Sequence, residues 1–321
     1  MTVMIVVGAV LVVLAAAWFW FLYAPQVSPP RLSGTSRRET ILVGGRERSY
    51  TVFVPAGLPD GAPLLVVLHG TQQTGELVRA ASGYEFDELA VRDGFVVVYP
   101  DGYRKGWNDG RLGSRTPARV AEIDDVGLFD ALVERLRADH RLGPDVFAAG
   151  YSNGGQMTFR LLAEAKQPLA GIAVIGANLP VPDNRGYPAP TRPVPAVVIA
   201  GTADHTSPYR GGEVTLFGFS PRGRVTSTEE TAATLAALSG ADPVPATRTL
   251  PHRSDSGRTS VQLTVYRRQD VPVVALYTIQ NGGHVIPTRL HRFPRIFGAT
   301  THDLDAPTSI WEFLGGRVST R

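Results

Sequence analysis

Short, wholly apolar runs, most of them ending in glycine or a polar turn, recur along most of this 321-residue chain. Residues 63–68 (Pro-Leu-Leu-Val-Val-Leu) and 95–99 (Phe-Val-Val-Val-Tyr) have no polar face, which suits strands buried on both sides. Further strands are expected at 145–149, 172–175, 196–200, 261–267 and 273–279. Between them the periodicity changes. At 125–138, Val126, Phe129, Leu132, Val133 and Leu136 fall on one helical face. Further helices are expected at 84–92, 157–165 and 227–238, and one starting near Asp305 that carries Ile310, Trp311 and Phe313. Ahead of these units, 39–43 and 48–54 are β-rich around Gly44-Gly45 and predict an opening hairpin. Alternating strands and helices imply an α/β fold with a mostly parallel sheet.

The N-terminus follows a different pattern. Residues 3–23 are apolar without one charged side chain, and about 20 residues suffice to cross a bilayer. Ala15, Ala16 and Ala17 run directly into Trp18, Phe19, Trp20 and Phe21, a poor start for a mature chain but suited to a membrane interface. The segment therefore reads as an uncleaved anchor in preference to a cleaved signal. Arg31, Arg37 and Arg38 follow it and no basic residue precedes it, which taken alone would keep the rest cytoplasmic. The expected organisation is an anchor or signal over 1–23, a Pro-bearing linker over 24–38 and one catalytic domain over 39–321.

Composition narrows the chemistry. A net charge of +3 gives no case for nucleic acid, and arginine dominates the cations, with Lys105 and Lys166 the only lysines. Arg289, Arg292 and Arg295 read as a solvated loop. The absence of cysteine excludes disulfides, thiolate-bound metal and a cysteine nucleophile.

Gly150-Tyr-Ser-Asn-Gly154 matches G-x-S-x-G between an apolar run and a helical one, the strand–turn–helix setting of a nucleophile elbow in the α/β-hydrolase fold. Serine needs a base, and this fold supplies acid and histidine in that order after it. Asp204 follows the run 196–200 and His284 follows 273–279, both beyond strand ends, where α/β folds place their sites. Ser152, Asp204 and His284 are the expected triad. Asp303 and Asp305 compete for the acid but suit helix capping better, and His205 reads as a loop residue. The oxyanion donors are expected from the Asn153 N–H and from Thr71 or Gly70, with His69 shaping that loop. Asp124 and Asp125 read as structural carboxylates at a helix start.

As a set, Leu68-His-Gly70, Tyr99-Pro-Asp-Gly102, Trp107-Asn108, Asp124-Asp-Val-Gly127, Gly150-Tyr-Ser-Asn-Gly-Gly155, Gly201-Thr-Ala-Asp204, Pro208-Tyr-Arg-Gly-Gly212 and Gly282-Gly-His284 resemble the polyhydroxybutyrate depolymerase and feruloyl esterase family, related to carbohydrate esterase family 1. The resemblance spans roughly residues 39–316. It implies hydrolysis of small or polymeric carboxylic esters without a cofactor, by an extracytoplasmic domain that is secreted or membrane-anchored, with Ser152, Asp204 and His284 as the matching triad. Two strings depart from the family: Thr71 stands where a cysteine is common, and Val285-Ile-Pro-Thr where Trp-Pro-Gly is frequent. Trp107 and Asn108 are candidates for lining the acyl or alcohol pocket, with loop anchoring the alternative for Trp107. The rival functions are acyl transfer of the mycolyltransferase type, a membrane-anchored binding module with an inert triad, and peptide hydrolysis.

Overall fold

The computed structural model describes residues 16–315 apart from 17, 26 and 217. An antiparallel hairpin opens the domain, β1 (Gly34–Val43) and β2 (Arg46–Pro55). There follow β3 (Leu64–Leu68), α1 (Gly75–Ala81), α2 (Glu85–Asp93), β4 (Val96–Pro100), α3 (Pro117–Val120), α4 (Asp125–His140), β5 (Val146–Tyr151), α5 (Asn153–Glu164), β6 (Gly171–Ile175) and β7 (Ala196–Gly201). A small ribbon, β8 (Gly212–Glu213) with β9 (Arg224–Val225), precedes α6 (Thr228–Leu238), β10 (Ala246–Thr249), β11 (Ser260–Arg268), β12 (Val271–Gln280) and α7 (Ala306–Leu314).

The main sheet has the order β1-β2-β4-β3-β5-β6-β7-β12-β11-β10. Its centre, from β4 to β12, is parallel, and both flanks are antiparallel. Alternation along β3 explains the three layers. Leu64, Val66 and Leu68 join the core under α4, α5 and α6, while Leu65 and Val67 join the core under α1, α2 and α7. With both faces covered, the central strands need no polar side, hence their uninterrupted apolar sequence. Local signals fix the helix starts: Asp124 caps α4 by accepting from Gly127 N–H, and Ser227 with Glu230 forms a capping box on α6.

Two boundaries differ from expectation. Residues 34–38, expected as linker, belong to β1, because Gly34 pairs with Pro55 and the hairpin runs its full ten residues. Helix α5 begins at Asn153, four residues before the expected start, since two glycines in its first turn weaken the helical pattern. The short elements α1, α3, β8, β9 and β10 carry too few periodic residues to be read in advance. Residues 3–15 and 17 of the expected anchor lie outside the described residues. Among the described residues no helix is long and apolar enough to cross a membrane. Residues 18–23 are exposed, and the Arg295 guanidinium lies 3.6 Å from the Trp20 ring centroid.

Candidate active site

Strand β5 ends at Tyr151 and α5 starts at Asn153, so Ser152 alone makes the turn, at φ 54° and ψ −115°. No β-carbon is welcome in this backbone region, and holding one there costs of order 1–3 kcal/mol. The glycines make the turn possible: a Cβ on Gly150 would strike the Gly154 carbonyl, and one on Gly154 the Leu68 carbonyl. Ser152 N–H donates to Ile175 O at 2.8 Å, locking the elbow to β6.

His284 and Asp204 come from the ends of β12 and β7, which are parallel neighbours. His284 Nε2 lies 2.9 Å from Ser152 Oγ, and its Nδ1 lies 2.6 Å from Asp204 Oδ2. The other Asp204 oxygen accepts the Thr206 and Ser207 N–H groups at 2.7 and 2.8 Å. Asp204 and His284 are buried while Ser152 is half-buried, so the hydroxyl is the exposed end of the chain. Tyr151 donates its hydroxyl to the His284 carbonyl at 2.7 Å. The structure thus brings together the three residues expected from sequence. Their rivals lie elsewhere. Asp303 accepts from Arg253 N–H and Ser256 Oγ, and is no helix cap. Asp305 occupies the N-cap position of α7 but takes the Thr308 hydroxyl and Arg289 in place of a main-chain N–H. His205 is exposed.

The loop after β3 is built around His69. Its Nδ1 donates to Gly70 O at 2.7 Å, and its Nε2 accepts the Gly102 N–H at 2.8 Å. Burial lowers its pKa to about 4, so it stays neutral and spaces two loops. Gly70 N–H is taken by Gln73 Oε1 at 3.0 Å, which removes it as an oxyanion donor. Among the described residues the Thr71 and Asn153 main-chain N–H groups have no hydrogen-bond partner, and both residues line the cavity at Ser152.

Trp107 and Asn108 do not line that cavity, contrary to expectation. Trp107 is 1% exposed, donates its indole N–H to His69 O at 2.8 Å and packs on the His69 ring. Asn108 spends its side chain on Ile123 O. Both brace the loops from behind. Asp125 is structural as expected, by another route: it is buried against Arg48 at 2.7 Å and accepts Asn108 N–H.

The cavity has a volume of about 190 Å³. Besides Ser152, His284, Thr71 and Asn153 it is lined by Arg111 and Arg222, which sequence reasoning missed. Arg111 follows a glycine in a polar loop, and nothing in its local sequence separates it from a solvated cation. Asp109 binds its Nε and Nη2 at 3.2 and 2.7 Å, and also holds the Asn153 side chain at 2.6 Å. Among the described residues no group of three or more His, Asp or Glu could hold a metal ion.

Residues 48–205 match the family model described as esterase PHB depolymerase. The protein NocK of Nocardia uniformis subsp. tsuyamanensis, which carries an esterase designation, is 30% identical over 304 residues, covering 92% of this chain and 87% of NocK. Poly(3-hydroxyalkanoate) depolymerase C of Paucimonas lemoignei is 30% identical over 128 residues, 39% of this chain and 30% of that enzyme. Among solved structures, the acetyl xylan esterase of Aspergillus awamori superposes with a TM-score of 0.54 at 15% identity, over 78% of this chain and 95% of that one, a likeness of the α/β-hydrolase-like fold. From the long match to NocK and the family model together, the chain belongs to the PHB depolymerase family of esterases and is a carboxylic ester hydrolase.

Proposed function

We propose that the chain hydrolyses its ester through an acyl-enzyme on Ser152. The observation that supports this reading best is the continuous run from Asp204 Oδ2 through the His284 ring to Ser152 Oγ, at 2.6 and 2.9 Å, ending at the cavity. Ser152 Oγ attacks the carbonyl carbon as its proton passes to His284 Nε2. Asp204 keeps the imidazole oriented and offsets its positive charge. The Thr71 and Asn153 N–H groups receive the oxyanion. His284 then returns the proton to the leaving alcohol oxygen as the C–O bond breaks. In the second half water attacks the acyl-enzyme, gives its proton to His284, and the acid leaves as Ser152 regains its hydrogen. A fluorophosphonate probe tests the reading: it labels the native chain at Ser152 and fails to label Ser152→Ala. Labelling that survives this substitution would sink the assignment.

We also propose that the domain works outside the cytoplasm, held there by residues 3–23. The length and apolarity of that segment support this, as does the exposed aromatic group at 18–23. Protease added to intact cells digests the domain if this is right. Survival until lysis would place it inside.

A further inference from the structure

The cavity beside Ser152 carries more positive charge than ester hydrolysis needs. Arg111 is 1% exposed, and its Nη1 has no hydrogen-bond partner among the described residues, although the side chain lines the cavity. A buried guanidinium N–H without an acceptor is costly, and the cost is removed only when an acceptor enters. Arg222 lines the same cavity, half-buried. Its Nη1 donates to Thr71 Oγ1 at 2.8 Å, and among the described residues no carboxylate lies within ion-pairing distance. Burial and the neighbouring Arg111 charge lower the Arg222 pKa, while Asp109 opposes the shift.

The pair is built into the fold. Asn184 accepts the Gly113 N–H at 2.9 Å and donates to the carbonyls of Arg222 and Arg224 at 3.4 and 3.0 Å, tying the two arginine-bearing loops together. The Arg222 N–H is held by Val214 O. Asp109 neutralises one edge of Arg111 and leaves the other free. Among the described residues Asp109 is the one carboxylate paired with either arginine, so the Arg222 charge and the Nη1 edge of Arg111 stay without an ion-pair partner. The Ser207 hydroxyl, also unpartnered and buried there, adds a donor, and Gln156 Oε1 adds one acceptor.

Building on the esterase reading of this same cavity, we infer that Arg111 and Arg222 form an anion subsite, and that the preferred substrates are esters bearing a second, ionised carboxylate within a few bonds of the scissile carbonyl. That carboxylate belongs either to the acyl part, as in a half-ester of a dicarboxylic acid, or to the leaving alcohol, as in the ester of a hydroxy acid. Both present the same planar anion to a guanidinium fork.

Binding to the full-length Ser152→Ala chain, followed by calorimetry, tests this without turnover. Monomethyl succinate and methyl levulinate form the acyl-side pair, identical except that a methyl ketone replaces the carboxylate. The pair 3-acetoxybutanoate and 4-acetoxypentan-2-one does the same for the alcohol side. At least one anion is expected to bind about 10–100-fold tighter than its neutral twin, the range of a charge-assisted hydrogen bond. Adding Arg222→Gln should cut that preference by about threefold or more, because the anion loses one of two cations while Arg111 stays in place. Equal affinities within both pairs, or a preference that Arg222→Gln leaves unchanged, overturn the inference. Should Arg222→Gln not fold, the two ligand pairs decide alone. Turnover of the same esters by the native chain separates this inference from the mechanism above. Turnover without preference sinks the anion subsite only. Preference in binding with no turnover sinks the mechanism only.

Discussion

Two buried aspartates stand behind the cavity, and they are secured by different chemistry. Asp204 lies at a strand end and gives one oxygen to N–H groups two and three residues on, the other to His284. Asp109 lies in a long loop and gives its oxygens to Arg111 and to the Asn153 side chain. The first carboxylate is held by its own turn and, in the proposed mechanism, orients the base. The second is clamped by a permanent cation and ties that cation to the helix that begins just after Ser152. Removing the first should therefore damage the chemistry and spare the fold, while removing the second should damage the fold.

The largest expected effect tests the first half of that contrast. Ser152→Ala and Asp204→Asn should each lower kcat by about 10³-fold or more, with thermal unfolding little changed. Near-native turnover in Asp204→Asn would end the comparison, because Asp204 would then be structural as well. Next, Asp109→Ala leaves the Arg111 guanidinium buried without its partner and should destabilise by about 3–5 kcal/mol in urea unfolding. A loss below about 1 kcal/mol would mean that Arg111 finds another partner, and that the clamp is dispensable.

A third buried carboxylate sharpens the contrast further. Glu85 has neither the turn of Asp204 nor the tight cation of Asp109. Burial first, then the hydrogen bond and charge of Asp305, raise its pKa to about 9. The fold keeps a proton that the unfolded chain releases near 4.5. Stability from this site is thus complete below that value and is lost as pH rises through about 9. The melting temperature should fall across this window, and Glu85→Gln should flatten the fall. An unchanged slope would show that the proton is held elsewhere. The smallest effect concerns the loop bracing: Trp107→Phe removes the indole donor to His69 O and should cost about 1 kcal/mol, with KM changing less than kcat. A KM effect dominating would restore Trp107 to the substrate pocket.

The strand-end half of the site was legible from sequence because its logic is local. An apolar run, a glycine turn and one polar residue identify Ser152, Asp204 and His284 without any knowledge of what packs against them. The loop half obeys no such rule. Arg111 and Arg222 sit on loops joined by Asn184, about 40 residues from Arg222 in sequence and about 70 from the Gly113 turn beside Arg111. Trp107 misled for the same reason. A tryptophan in a loop near the site suggests substrate contact, and only its hydrogen bond to His69 O and the His69 ring beneath it show that it faces inward. The parallel centre of the sheet was likewise readable from runs apolar on both faces, whereas the ribbon β8–β9 spans two residues a side and leaves no period to read.

The dihedral angles at Ser152 carry a consequence for anyone who breeds this enzyme for robustness. At φ 54° and ψ −115°, glycine fits better than any residue with a side chain. Ser152→Gly should therefore melt above Ser152→Ala, and selection for heat tolerance alone would reward discarding the proposed nucleophile. A screen for durable variants must score hydrolysis in the same round, or its winners will be well-folded and inert.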